Sequence, residues 1–279
     1  MTKQSVFRPC TVLAGVVLLW ASPAYAQFQP RPIGDAGGVP PGEVYHIEAS
    51  GGFWGPTADM SVLSESVTNL VDASLIDFKE DLGLTDQRFR ELHLVLRPSR
   101  KHKFRFQYIP IRFTQSAVIR QDIVFNGQRF QANLPVNSTL DWKAYRFGYE
   151  FDFLTKDTWY AGFVLDFKQT DIRATLQTPL IEEFSRFAAP IPALGGAFRV
   201  YVIPSVSISG EVTVFKLPEN VIQDTEARYV DVDFYGTFNF NRNFGAQLGY
   251  RSFDLGYTDA EFIGNLRLKG IYFGAVARY

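Results

Sequence analysis

The residues best suited to proton chemistry in this chain form two short pairs. His46 stands two positions before Glu48, and Glu91 two before His93. Imidazole changes charge near neutral pH. A carboxylate beside it can order a proton shuttle or complete a metal site. In an extended chain residues i and i+2 share a face, so each pair projects together, and neighbouring strands would bring the two into one His-Glu cluster. The competing reading is that both pairs are polar filler on a charged face. His102 falls at a turn and reads as solvated. Cys10 is the single cysteine, and no Gly-rich phosphate loop, HExxH or GxSxG occurs. No cofactor and no metal are expected, and no motif argues for an enzyme.

The elements that must carry these residues are strands. Apolar and polar residues alternate with period two through 44–54, 88–97, 102–115, 141–154, 158–170, 193–202, 206–215, 229–240, 244–251 and 263–279. The apolar faces are rich in aromatics, as in Tyr145, Phe147, Tyr149, Phe151 and Phe153. In the first strand Tyr45, Ile47, Ala49 and Phe53 share the apolar face. The alternation changes phase near Pro110, which predicts a bulge, and again around Gly270. Tight connections at 98–101, 155–157, 204–205 and 241–243 alternate with long ones at 55–86, 116–139, 171–190, 217–227 and 254–262. Ten antiparallel strands with both ends on one side need four turns and five loops. Eight or twelve strands stay open, because 74–84 could form a strand of its own. The segment 60–72 with 74–84 could fold over a barrel mouth or extend a hairpin, and 179–192 could hold a short helix; these loops are the candidate binding surfaces.

Composition narrows the class. Hydrophobic residues make up 46% and aromatics 15%, yet no long apolar run follows residue 26. That combination fits strands whose two faces meet lipid and a polar interior. At the start, Lys3 and Arg8, the apolar run 12–20 and Ala24-Tyr25-Ala26 read as a secretory signal peptide over 1–26. The run is too short to cross a bilayer as a helix. Residues 27–42, full of Pro and Gly, read as a flexible periplasmic lead-in, and 43–279 as the barrel. Losing Lys3 and Arg8 takes the formal charge from −1 to about −3, and no basic excess points to nucleic acid.

If the apolar faces meet lipid, the opposite faces line a lumen. Its polar network would comprise His46, Glu48, Glu91, His93, Arg105, Arg112, Arg146, Glu150, Asp152, Asp166, Lys168, Arg199, Glu211, Asp231, Asp233, Arg251 and Arg267, with Arg97, Lys269 and Arg278 beside them. The signs nearly balance. A barrel of ten strands is narrow, so opposite charges would meet across it and fill it; a narrow polar pore is the functional alternative.

Two resemblances bear on this. The last strand, with Ile271, Phe273, Ala275 and Ala277 in alternation and Tyr279 as its aromatic end, resembles the assembly signal of bacterial outer-membrane proteins. That implies an antiparallel transmembrane β-barrel with short periplasmic turns and long extracellular loops, partnered by outer-membrane lipid and by the barrel-assembly machinery. Over 72–165, Asp81-Leu82-Gly83-Leu84, Leu96-Arg97-Pro98 and Lys101-His102 are similar to a group of uncharacterised outer-membrane barrels, a likeness that implies no activity. Ten-stranded outer-membrane barrels include the omptin proteases, with catalytic acids and a histidine near the extracellular rim; no histidine of this chain lies beyond residue 102. The expectation is a non-enzymatic outer-membrane barrel with a structural, small-solute or surface-binding role. An outer-membrane enzyme acting on lipid or peptide and a soluble periplasmic ligand-binding barrel are the alternatives.

Overall fold

The structure, a computed structural model, describes residues 39–64, 75–83, 85–120, 122–125, 128–217, 225–258 and 262–279. The expected signal peptide, residues 27–38 of the lead-in and the segment 65–74 lie outside these. The elements are a 3-10 turn, Pro41–Glu43, and strands β1 (Ile47–Ser64), β2 (Leu75–Asp77), β3 (Phe89–Ser99), β4 (His102–Val118), β5 (Ile123–Phe125), β6 (Gln128–Phe130), β7 (Pro135–Thr155), β8 (Trp159–Gln177), β9 (Glu182–Ile203), β10 (Val206–Leu217), β11 (Glu226–Asn239), β12 (Phe244–Thr258) and β13 (Phe262–Arg278). Ten of them form one antiparallel sheet that closes on itself. Neighbours run β1-β3-β4-β7-β8-β9-β10-β11-β12-β13, and β13 pairs back to β1 from Glu48↔Arg278 to Ser64↔Phe262. Closure leaves no free sheet edge around the ring where the ladders run unbroken.

One end, the turn end, carries the lead-in, Tyr279 and the connections between β3 and β4, β7 and β8, β9 and β10, and β11 and β12. The other is the loop end. Two connections expected to be long are tight here. Residues 171–190 are mostly strand, with β8 and β9 turning over between Thr178 and Ile181, whose backbone atoms bond at 2.7 Å. No helix forms in 179–192; the stretch continues β9. Likewise β12 runs on to Thr258 and β13 begins at Phe262. Among the described residues of 74–84, Leu75–Asp77 alone is strand; it pairs with the top of β1 and does not span the wall.

The strands are longer than a bilayer needs, and their side chains explain why. About ten residues of tilted strand cross the hydrocarbon, whereas β7, β8 and β9 have 21, 19 and 22. At the turn end the outward residues are apolar: Phe104 and Phe106 on β4, Phe147 and Phe153 on β7, Phe163, Leu165 and Phe167 on β8, Val230 to Phe238 on β11, Ile271 and Phe273 on β13. Aromatic pairs bind this belt across strands, among them Phe106 with Phe147 at 5.2 Å and Phe53 with Phe273 at 5.8 Å. Tyr108 and Tyr145 stack at its upper edge, 4.8 Å apart and 20° from parallel, where an interfacial aromatic girdle belongs.

Above that edge the wall turns inside out. Inward residues become apolar and outward ones polar. Trp54, Phe89, Ile109, Ile111, Phe113, Leu140, Trp142, Phe253, Leu255, Leu266 and Leu268 are buried in one cluster. Outside, Arg186 pairs with Asp171 at 2.7 Å and Arg267 with Asp254 at 2.6 Å. The loop-end half is thus built like a water-soluble barrel, and the turn-end half like a membrane one.

The inversion corrects two sequence expectations. Neither β4 nor β13 changes phase. In β4 the inward set runs unbroken through Lys103, Arg105, Gln107, Ile109, Ile111 and Phe113 past Pro110, and its pairing with β7 has no shift. In β13 Leu266, Leu268, Tyr272, Val276 and Arg278 are all inward. What switches is the medium outside the wall, from lipid to water. Arg112, Arg267 and Lys269 are therefore outward and exposed, not lumenal; the side chains of Arg112 and Arg267 are 70% and 50% exposed. Tyr45 is also misplaced by alternation: it is buried at the turn end, while Ile47 and Phe53 face out, because the chain bends before β1 begins.

Candidate functional site

Strand alternation delivers one inward charge every second residue, and ten tilted strands bring them within reach. Lys103 Nζ lies 2.7 Å from Glu150 Oε1 and 2.9 Å from Asp152 Oδ2. Glu150 Oε2 takes Arg105 Nη1 at 2.9 Å, and Arg105 Nη2 reaches Glu211 Oε2 at 2.5 Å. Glu211 is also bound by Arg146, which holds Asp166 at 2.7 Å. Lys168 bonds Thr213 at 2.9 Å, Asp231 at 3.0 Å and the Tyr229 hydroxyl. Arg251 grips Asp231 with Nε at 3.0 Å and Nη2 at 2.7 Å, the bidentate geometry that makes such pairs strong. The result is one chain of alternating charge through β7, β4, β10, β8, β11 and β12.

Several contacts cross the barrel. Arg199 on β9 is 3.8 Å from Glu48 on β1, which is also held by Arg278. Arg251 Nη2 donates to Gln107 Oε1 at 3.3 Å. At the turn end the lead-in closes the mouth. Glu43 accepts from Arg97 at 2.9 Å, from Arg199 at 3.2 Å and from the Tyr201 hydroxyl at 3.3 Å. A Cβ on the buried Gly42 would come 2.5 Å from the Tyr201 hydroxyl oxygen and 2.8 Å from Asn239 Oδ1, so only glycine admits this close approach. Burial works to raise the Glu43 carboxyl, but Arg199, Arg97 and Lys103 outweigh it and hold the group below the usual carboxylate range.

At the level where charge gives way to apolar core, a cavity of about 30 Å³ is lined by Trp54, Trp142, Lys168, Arg251 and Phe253 among others. That is room for about one or two water molecules. Above it, loop-end segments tuck in: Phe78 and Leu82 after β2, Ile119, and Ile123, Phe125 and Phe130 of the β5-β6 hairpin are all buried. The described parts of 55–86 and 116–139 thus both extend hairpins and cover the mouth.

Of the residues singled out from sequence, Glu48, Glu91, Arg146, Glu150, Asp152, Asp166, Lys168, Arg199, Glu211, Asp231 and Arg251 are buried in the lumen, and Arg105 is partly buried there. Asp233 accepts from the Tyr272 hydroxyl there at 2.9 Å. His93 lies 3.3 Å from Glu91 and 3.0 Å from Gln107 Nε2. His46 is not in this network; it is exposed at the turn end, with Nδ1 3.2 Å from the Arg97 carbonyl oxygen. The expected two-histidine cluster therefore does not assemble, since the bend that buries Tyr45 carries His46 out of the barrel. Among the described residues no group of three or more His, Cys, Asp or Glu is arranged to hold a metal ion. His102 is not merely solvated: its Nδ1 lies 2.6 Å from the Tyr149 hydroxyl. Phe273 faces outward in the belt, and Tyr279 is exposed at the turn end, where its carbonyl accepts from the amides of His46 at 2.7 Å and Ile47 at 2.9 Å.

Sequence reasoning missed Lys103, Glu43 and the lumenal tyrosines 160, 229 and 272. Lys103 was hidden in a turn signal, although it keeps the parity of Arg105. Glu43 was hidden at the end of a Pro-Gly segment, although Pro40-Pro41-Gly42 is a turn sequence. The tyrosines occupy polar-face positions, a signal that alternation alone could have raised.

No family model matches the sequence, and no curated protein does. Solved structures do match. The outer membrane protease OmpT from Escherichia coli aligns over 84% of this chain and 96% of its own, with a TM-score of 0.55 at 6% identity. The toluene transporter TodX of Pseudomonas putida aligns over 84% and 90% at a TM-score of 0.34 and 7% identity. The attachment invasion locus protein Ail of Yersinia pestis aligns over 84% and 97% at 0.33 and 9%. The chain has the fold of a bacterial outer-membrane β-barrel.

Proposed function

We propose that this protein is a resident of the outer membrane, exported by a cleaved signal peptide, and that it works as a closed, non-enzymatic barrel. Its turn end faces the periplasm. Its loop-end half stands outside the membrane as a platform for surface binding. The cross-lumen contact of Arg105 with Glu211 carries the reading. Side chains from opposite walls touch, and the cavity beside Trp54 and Arg251 admits water at most, so the membrane half serves as a packed polar core and not as a solute path. Buried charges this well paired are tolerated, and they hold the ring in shape.

The histidines support the non-enzymatic part. His46 and His102 lie at the turn end and His93 within the charged lumen, away from the loop-end rim where a substrate outside the cell would arrive. Outer-membrane lipid is the partner of the belt. The barrel-assembly machinery is the partner of β13, through Phe273 and Tyr279.

Planar-bilayer recording of the purified barrel, with heat-modifiable migration as the check on folding, tests this reading. The expected result is folded protein without step conductance. Steady unitary currents from folded protein would overturn it, as would recovery of the native protein in the soluble periplasmic fraction.

A further inference from the structure

One seam in the wall lies between β9 and β10. β9 pairs with β8 along its whole length, up to Gln177↔Glu182. It pairs with β10 only as far as Leu194↔Val214. β10 meanwhile stays on β11 up to Leu217↔Ala227. Above Leu194 and Val214 the two strands therefore part, and residues 182–193 of β9 have no strand partner on that side among the described residues. Pro190 and Pro192 sit on this stretch. Proline has no N–H to give to a ladder and belongs on an unpaired edge. Two prolines two residues apart leave the same side of the strand without donors, and the unbroken β8 ladder assigns that side to the seam.

The seam opens into a groove of about 720 Å³ lined by Leu165, Pro192, Leu194, Val214, Phe215, Lys216, Glu226, Arg228, Tyr229 and Val230. Leu165, Leu194, Val214 and Val230 are outward residues in a single row across four strands, since Leu165 pairs with Leu194, Leu194 with Val214 and Val214 with Val230. On β10 and β11, Val214 and Val230 are the uppermost apolar outward residues, while on β8 Phe167 stands one step above Leu165. One step higher on β10 and β11 stand Lys216 and Arg228, with Glu226 a further step up. Glu226 and Arg228 also line a second, polar pocket of about 200 Å³ with Gly256, Thr258 and Asn265. Gly256 makes that hollow: a Cβ there would lie 3.0 Å from Arg228 Nε and 3.3 Å from Asn265 Oδ1. An apolar groove continuous with the lipid belt thus leads up into a polar pocket at the membrane surface.

The charge of the rim selects an anion. Lys216 makes no ion pair among the described residues. Arg228 has only Asp254, at 3.4 Å, and Asp254 is already held by Arg267 at 2.6 Å. Among the residues that line the groove, Lys216 and Arg228 against Glu226 leave one positive charge in surplus.

We propose that the β9-β10 seam is a binding site for a phosphate-headed acyl amphiphile from the outer leaflet. Its chain lies along Leu165, Leu194, Val214 and Val230 and against Phe215. Its phosphate is held by Lys216 and Arg228 at the polar pocket. The proposal rests on the reading of the belt as lipid-facing, and it assigns the barrel a lipid ligand that the closed lumen does not provide.

The test uses the full protein purified in a neutral detergent, with tetradecyl phosphate as probe and native mass spectrometry as readout. Heat-modifiable migration confirms a folded barrel in every sample. One probe molecule per barrel is expected for the parent protein. Retention should fall at least fivefold in the Lys216→Ala/Arg228→Ala variant, which changes only exposed side chains, and in Val214→Trp, which fills the groove; Arg112→Ala, on the far wall, should match the parent. Tetradecyl maltoside should not compete, and inorganic phosphate should compete only weakly. Equal retention in all variants would overturn the proposal. Full displacement by inorganic phosphate would reduce the site to an anion pocket, and equal binding of the maltoside would remove the role of the charged rim; either result also overturns it. Loss of heat-modifiable migration in the parent protein would instead sink the membrane reading itself.

Discussion

Arg105 on β4 and Glu211 on β10 touch across the lumen, Nη2 2.5 Å from Oε2, although β7, β8 and β9 stand between their strands on one side of the ring and five strands on the other. A single pair therefore measures the diameter of the barrel. It also places a carboxylate between two guanidiniums, because Arg146 binds the same Glu211. Removing that carboxylate leaves both cations buried with fewer partners. Breaking a buried pair from one side costs about 3–5 kcal/mol, whereas replacing both partners by well-packed apolar groups costs far less. Glu211→Ala should lower the unfolding free energy of the micelle-folded barrel, read from urea titration, by an amount of that order. The double variant Arg146→Met/Glu211→Leu should recover a large part of it, a non-additivity that a double-mutant cycle reads directly.

The inverted wall makes a topological prediction. Arg112 and Phe147 are both outward, on β4 and β7, but one belongs to the water-facing half and the other to the belt. In a Cys10→Ser background, Arg112→Cys should react with a membrane-impermeant maleimide on intact cells, and Phe147→Cys should not. Their stability costs should differ too. Arg112→Ala breaks an exposed pair with Asp141, which solvent screening leaves with little weight in stability. Phe147→Arg puts a charge into the lipid belt, where the cost is about 2–4 kcal/mol near the midplane. Equal maleimide labelling at the two positions would show that the boundary lies elsewhere.

Alternation, strand number and the four tight turns were legible in the sequence, because each strand has a face that lipid requires to be apolar. The inversion at Pro110 and Gly270 was not. A strand leaving the membrane keeps its backbone phase while inside and outside exchange polarity, and on paper this has the same pattern as a one-residue slip. That is why Arg112, Arg267 and Lys269 were expected in the lumen. Loop lengths misled for a related reason: once above the membrane, 171–190 continues as strand with prolines and polar outward residues, which resembles loop composition. The lumenal charges were readable as a set, but their partners were not, since cross-barrel pairs such as Arg199 with Glu48 depend on closure and tilt.

The lead-in plug predicts a pH effect. The folded carboxyl of Glu43 is below its ordinary value of 4.5, with burial opposing the shift and Arg199, Arg97 and Lys103 producing it. A carboxylate whose folded pKa is depressed contributes stability that is fully present above its unfolded pKa and is lost as pH falls through the folded one. Glu43→Gln should therefore lower the thermal midpoint at pH 7. The difference between parent and variant should shrink steadily as the pH drops below about 4.5. A difference independent of pH from 7 down to 3 would show that Glu43 acts through packing and not through its charge.

The closing strand supplies the last prediction. The Tyr279 carbonyl takes the amides of both His46 and Ile47, and its own amide donates to the Ile47 carbonyl at 2.8 Å. These bonds join the final residue of β13's edge to the first of β1, so they form only when the ring shuts. Deleting Tyr279 removes all three and the exposed aromatic ring together. Tyr279→Ala keeps the backbone and removes only the ring. If the ring is what the assembly machinery engages, both variants should accumulate as heat-unmodifiable, protease-sensitive chains in cells. Refolding in micelles, where no machinery is present, should then separate them: Tyr279→Ala folds like the parent, and the deletion folds more slowly or with a lower midpoint. Normal assembly of Tyr279→Ala in cells would assign the residue a purely structural role at the seam between β13 and β1.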